Sequence, residues 1–168
     1  MPVLWLETEP TTLNLFAARA LRVSRRFSAT RHRGSKISVI GAITSSKILA
    51  IMTMNGSMDA TAFEVYISQC LVPQLWPGAV VIMNNLTAHK VDSIVPLIEA
   101  VGAKVLYMFP YSPEFNPIEH LWSQLIAFLR QFSPTTSKIV DTLIATAMDL
   151  INSAHLHNWF AHCCYCPS

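Results

Sequence analysis

Two apolar runs, Ile37–Ile43 (ISVIGAI) and residues 48–54 (ILAIMTM), are separated by only four residues, TSSK. Both are rich in β-branched side chains, and a four-residue polar link between such runs has the length of a hairpin connection. The chain is therefore expected to build a sheet around an antiparallel pair. Asn55 and Gly56 mark the turn that leaves it. From Asp59 the apolar period changes. Phe63, Tyr66, Ile67, Cys70 and Leu71 recur at intervals of three and four, the stripe of an amphipathic helix, with Asp59 as its cap and Pro73 and the Trp76-Pro77-Gly78 turn at its end. Residues 79–83 form the next apolar strand. Val91, Ile94, Val95, Ile98 and Val101 form a second helical stripe closed by Gly102, and residues 104–109 (KVLYMF) read as a further strand. A proline-rich loop over residues 110–117 precedes helices expected over 117–130 and 138–153. With a first short strand at residues 3–6, the order is strand, hairpin, helix, strand, helix, strand, loop, helix, helix. Strands joined through helices imply one α/β domain with a mixed sheet flanked by helices.

At 168 residues, with 52% hydrophobic and 13% charged side chains, the chain has the composition of a globular domain. The charge-free run over residues 65–88 has the length of a membrane span, but Pro73, Pro77, Gly78 and four amide side chains break it into helix, turn and strand. The N-terminus lacks the pattern of a signal peptide. Without a secretory signal the four cysteines, Cys70, Cys163, Cys164 and Cys166, are expected to be reduced. The tail His162–Cys166 carries one CxxC spacing beside a histidine. A structural zinc normally needs two such half-sites, so a frayed end with unused thiols is expected.

The net charge of +2 hides an asymmetry. Arg19, Arg22, Arg25, Arg26, Arg31, Arg33 and Lys36 cluster in one stretch, and no Asp or Glu lies between Glu9 and Asp59. Such a block can meet phosphates or can simply be a solvated loop.

Sites in sheets of this kind gather at the carboxyl ends of strands. One such end reads VVIMNNLTAHK, residues 80–90, where four apolar residues stop on Asn84 and Asn85. The other phrase with chemical content is YSPEFNPIEHLW, residues 111–122. Asn116 before Pro117 suits a helix N-cap, and Glu119 can close a capping box, so a purely structural role for Glu119 is available. Taken together, however, the two phrases resemble the DDE-type transposases of the mariner superfamily and the related bacterial insertion-sequence transposases. The 34 residues between Asn84 and Glu119 match the spacing characteristic of that superfamily.

The resemblance implies a ribonuclease-H-like fold. It also implies an enzyme that cuts and joins transposon-end DNA with two Mg²⁺ or Mn²⁺ ions held by three carboxylates. Mapped onto this chain, the third acid is Glu119, the second acid's position is Asn84, and the first falls on Leu6 in WLETE. Glu7, next door, would replace the first acid only through a bulge or a one-residue slip that turns the strand over. His89 and Lys90, just past the strand end, and the basic residues Arg25, Arg26, Arg31, Arg33 and Lys36 are candidate DNA contacts. Full-length relatives carry helix-turn-helix modules ahead of the catalytic domain, whereas this sequence begins almost at the first catalytic strand. The expectation is a cytoplasmic, nucleoid-associated catalytic domain impaired by the loss of two acids. The alternatives are a non-catalytic partner of an intact transposase, acting through homo- or hetero-oligomers, and an inert gene fragment.

Overall fold

The structure is a computed structural model that describes residues 14–17, 21–23, 37–56, 58–83, 92–108, 113–132 and 136–165. Six strands form one sheet: β1 (Asn14–Ala17), β2 (Leu21–Val23), β3 (Ile37–Ile43), β4 (Ile48–Asn55), β5 (Val80–Met83) and β6 (Lys104–Tyr107). The expected hairpin is present. β3 and β4 pair antiparallel from Ile37↔Asn55 to Ile43↔Ile48, and the Thr44 amide donates to the Lys47 carbonyl at 2.8 Å across the turn. Both β1 and β2 pair antiparallel with β3 on its other side, through Phe16↔Ile43 and Leu21↔Val39. β1 then pairs parallel with β5, and β5 parallel with β6. The expected first strand at residues 3–6 lies outside the described residues. The strand alongside β5 is Asn14–Ala17, in a stretch that the apolar pattern assigns to a connection.

Parallel pairing requires crossovers, and helices supply them. Between β4 and β5 comes α1 (Ala60–Val65), capped as expected by the Asp59 carboxylate, which accepts from the Ala62 amide at 2.8 Å. Its stripe continues through a π-helical stretch, Tyr66–Leu71, and a 3-10 turn, Val72–Gln74, that takes Pro73 into its first positions. Phe63, Tyr66, Ile67 and Leu71 are fully buried. Between β5 and β6 comes α2 (Ile94–Glu99), shorter than its stripe predicts, and Gly102 follows it at a positive φ of 79°. After β6 come α3 (Ile118–Phe132), α4 (Ser137–Asp149) and α5 (Ser153–His162).

β3 is buried along its whole length, which explains why its sequence is apolar at nearly every position and not at alternate ones. Gly41, in the middle of β3, is the contact point for α3. A Cβ built there would meet Ile51 Cδ1 and would lie 3.2 Å from Trp122 Cη2 and 3.3 Å from the Ala50 carbonyl oxygen. Trp122 thus lies against bare strand backbone and is itself 1% exposed. The core runs unbroken from the sheet through α3 into α4 and α5, by way of Leu125, Val140, Ile144, Leu156 and Phe160.

The expectation of a frayed tail is corrected up to Cys163, while Cys166 lies outside the described residues. α5 is a helix whose Leu156, Trp159 and Phe160 are buried, and Cys163 just beyond it is buried too. Its start is secured by a capping box. The Asn152 side chain accepts from the His155 amide at 3.0 Å, while His155 Nδ1 accepts from the Asn152 amide at 3.3 Å. Histidine in the place usually taken by Glu or Gln hides this box from the sequence pattern. Cys70, Cys163 and Cys164 form no disulfide among the described residues, and Cys166 lies outside them. No helix among the described residues is long and apolar enough to cross a membrane.

Both the strand contact and the cap can be measured. Gly41→Val should destabilise the fold by about 1–3 kcal/mol, because the added methyls meet a fully buried indole on one side and strand backbone on the other; chemical denaturation reads it, and an unchanged midpoint would contradict the packing described. Asn152→Ala should cost about 1 kcal/mol in the same assay, the usual cost of a lost helix cap.

Candidate functional site

β1 and β5 run side by side and end in register, with Ala17 opposite Met83. The Met83 carbonyl also accepts a hydrogen bond from the Met108 amide at 2.8 Å, so β6 ends at the same level. Three parallel strand ends therefore converge on one edge of the sheet, the location at which α/β folds place their chemistry. The residue that follows Met83 is Asn84. Asn84 itself lies outside the described residues, as do Leu6, Glu7, Arg25, Arg26, Arg31, Arg33, Lys36, His89 and Lys90. The one expected site residue within the described structure is Glu119.

Glu119 lies in the first turn of α3 and is half-buried. The chain reaches it through a 3-10 turn, Pro113–Phe115, after which the Glu119 amide donates to the Asn116 carbonyl at 3.0 Å and the His120 amide to the Pro117 carbonyl at 3.2 Å. These bonds tighten the helix start. The expected side-chain cap does not form: Asn116 is buried, 3% exposed, and its Oδ1 has no hydrogen-bond partner among the described residues. The main-chain carbonyl of Asn116 takes the amide that its side chain was expected to take. A carboxylate in the first turn is still favoured by the helix dipole, so Glu119 carries a structural benefit whatever else it does.

What holds this turn in place is the side of α3 that faces the sheet. Ile118, Leu121, Trp122 and Leu125 are buried, as the apolar stripe predicts, and Trp122 rests on Gly41. The next side chain after Glu119, His120, turns towards α5. Its ring stacks on Trp159 with centroids 6.3 Å apart and meets His162 edge-on at 5.1 Å. Burial pushes the His120 pKa down, and nearby His162 pushes it further, against an opposing pull from Glu119. The sequence pattern alone does not single out Trp159 and His162. Their positions four and seven residues beyond His155 are the available signal, legible only once α5 is known to be a helix. Among the described residues there is no group of three or more His, Cys, Asp or Glu side chains able to hold a metal ion.

Comparison with known proteins shows the fold and the family. The sequence profile of the DDE superfamily endonucleases matches residues 14–140, a span that contains both the 80–90 and the 111–122 phrases. Comparison with curated proteins finds no match. Among solved structures, the catalytic domain of Mos1 mariner transposase superposes with a TM-score of 0.70 at 12% identity, over 88% of this chain and 75% of that one. The transposase in a pre-cleavage Mos1 transpososome gives 0.66 at 10% identity, covering 89% of this chain and 52% of that one. The Mos1 mariner paired end complex with Mn gives 0.67 at 14% identity, covering 90% and 54%. The chain thus spans about half the length of the transposases in those complexes. At such identities the likeness is one of fold, and it bears out the ribonuclease-H-like architecture expected of the mixed sheet. The profile match over three quarters of the sequence carries the kinship further: the chain belongs to the DDE superfamily endonuclease family.

Proposed function

We propose that this chain is the catalytic domain of an insertion-sequence transposase whose own metal centre is impaired. The observation that carries the proposal is the profile match spanning both site phrases, together with a fold in which β5 ends one residue before Asn84 and α3 opens on Glu119. The described residues pack around one core, in keeping with a single domain. DNA, in the form of transposon ends, is the proposed partner, and the cytoplasm, at the nucleoid, is the proposed setting.

The family's chemistry rests on acids. Divalent magnesium prefers charged oxygen ligands, and two such ions brought together around one phosphodiester need several negative charges beside them. At the three positions this chain has Leu6, Asn84 and Glu119. Glu119 is an ordinary hard ligand. Asn84 offers a neutral carbonyl oxygen, and Leu6 offers none. This donor set does not fit a pair of dications. The strand pairing leads to the same result. If the end of β1 supplies the first position in place of Leu6, the site gains no acid, because no Asp or Glu occurs between Glu9 and Asp59. Loss of a mere supporting partner costs a metal site about 10–100-fold in affinity or activity, and loss of two direct ligands costs more.

A second role is favoured by the charge pattern. The acid-free stretch containing Arg25, Arg26, Arg31, Arg33 and Lys36 would keep its affinity for phosphates after the catalytic charges are gone. A chain that binds DNA or an intact transposase without cutting would act as a regulatory partner. Co-purification with a full-length relative at micromolar concentration tests this, and failure to associate removes it.

Cleavage decides the main proposal. The unaltered chain should show no Mn²⁺-dependent nicking or strand transfer on its cognate transposon end. Asn84→Asp with Leu6→Asp should recover divalent-metal binding, and either change alone should recover little. Robust cutting by the unaltered chain would overturn the claim of impairment.

A further inference from the structure

We infer that the groove between β4 and α4 docks an extended segment of a partner protein, one with two basic side chains four residues apart and an apolar one between them. β4 pairs with β3 along its length and, among the described residues, with no other strand. Its residues from Ile48 to Met54 are all half-buried, whereas β3 beside it is buried throughout. Between this strand and α4 lies an open groove of about 390 Å³. It is lined by residues 48–51 and 53 of β4 and by Asp141, Ile144, Ala145, Met148 and Asp149 of α4. Successive strand residues point to opposite faces of a sheet. A groove lined by four in a row therefore runs along the outer edge of β4, where an edge strand presents its main-chain donors and acceptors. The Ala50 carbonyl is taken by the Tyr66 hydroxyl, which donates to it at 3.3 Å, so pairing would rest on its neighbours. Adding a strand to such an edge is a recurring way of binding an extended peptide.

The α4 wall selects what the occupant carries. Its five residues follow the i, i+3, i+4, i+7, i+8 stripe of a single helix face. Ile144 is buried and forms an apolar floor, Ala145 is small and exposed and leaves space above it, and Asp141 and Asp149 are exposed at the two ends of the stripe. No Lys, Arg or His lines the groove, so the two carboxylates set its sign. Asp141 is held against β4 by the Thr53 hydroxyl, which donates to its Oδ1 at 2.9 Å. Eight residues of helix separate the carboxylates by a rise of about 12 Å. Four residues of extended chain cover about 13 Å and return the side chain to the same face. A strand laid along β4 would thus set basic residues i and i+4 opposite Asp141 and Asp149, with residue i+2 over the apolar middle. The same carboxylates repel a phosphate backbone, so the complementary occupant is a polypeptide and not a nucleic acid.

The test uses the full chain and a fluorescent peptide, Thr-Lys-Thr-Val-Thr-Lys-Thr, blocked at both ends. Anisotropy should show saturable binding that weakens as salt rises, and the amide resonances of residues 48–53 and 141–149 should shift on addition. Asp149→Asn should weaken binding by about two- to fivefold, the effect of losing an exposed ion pair. Moving one peptide lysine by a single residue, which turns it to the opposite face, should cost as much. Ala145→Arg, which fills the groove and supplies its own cation, should abolish binding, as should glutamate in place of both lysines. If Ala145→Arg fails to fold, Asp149→Asn and the glutamate peptide decide. Absence of saturable binding below about 1 mM, affinity indifferent to Asp149→Asn and to the glutamate exchange, or resonance shifts confined to residues outside the groove would overturn the proposal. So would a dimer in sedimentation that Ala145→Arg abolishes, since the occupant would then be a second copy of this chain. None of these readouts depends on DNA cleavage, so the result is separate from the fate of the transposase reading.

Discussion

The close contact between Trp122 and the strand at Gly41 is the constraint on which the geometry of this domain depends. α3 covers the sheet at β3, and Glu119 stands in the first turn of that helix. An indole is the largest side chain available for burial, and a glycine opposite it lets the helix approach more closely than any other residue would. The position of Glu119 is therefore inherited from packing three residues further along the same helix.

The scaffold does not depend on the residues to which the chemistry is assigned. The core around β3, β5, α1 and α3 is unbroken, with fully buried residues on each of these elements. Stability and catalysis draw on different residues. Apolar burial holds the fold together at roughly 25 cal/mol per Å² of apolar surface removed from water, and it is indifferent to whether a strand end carries an amide or a carboxylate. Exchanging Asp for Asn at such a position can even relieve repulsion between neighbouring acids. A lineage that loses its metal ligands has no physical reason to lose its fold at the same time.

The hairpin, β5, α1 and α3 are legible in the sequence because apolar periodicity is a record of burial, whereas β6 is legible from its β-branched and aromatic content although most of it is exposed. Asp59 is legible because a carboxylate placed just before an apolar stripe is where a helix start needs an acceptor. The family is visible because two short phrases keep both their wording and their separation. What escapes leaves a weaker record. β1, Asn14–Ala17, is four residues long and borrows its stability from its two neighbours, so no stripe or alternation announces it. α5 starts on a histidine capping box, outside the usual vocabulary of caps. The side-chain cap expected at Asn116 is replaced by a main-chain bond that no residue pattern encodes. The His120–Trp159–His162 group is tertiary, joining residues about forty positions apart, and only the assembled helices reveal it.

The far side of the sheet has a consequence of its own. β6 closes the strand order, and among the described residues nothing pairs with its outer edge, where Leu106 and Tyr107 are 47% and 39% exposed. A parallel edge with two large apolar side chains and a single charge, Lys104, is a template on which another extended chain can add itself. Left uncovered, such an edge would favour strand addition as concentration rises, and whatever shields that flank would set how much of the folded form can accumulate.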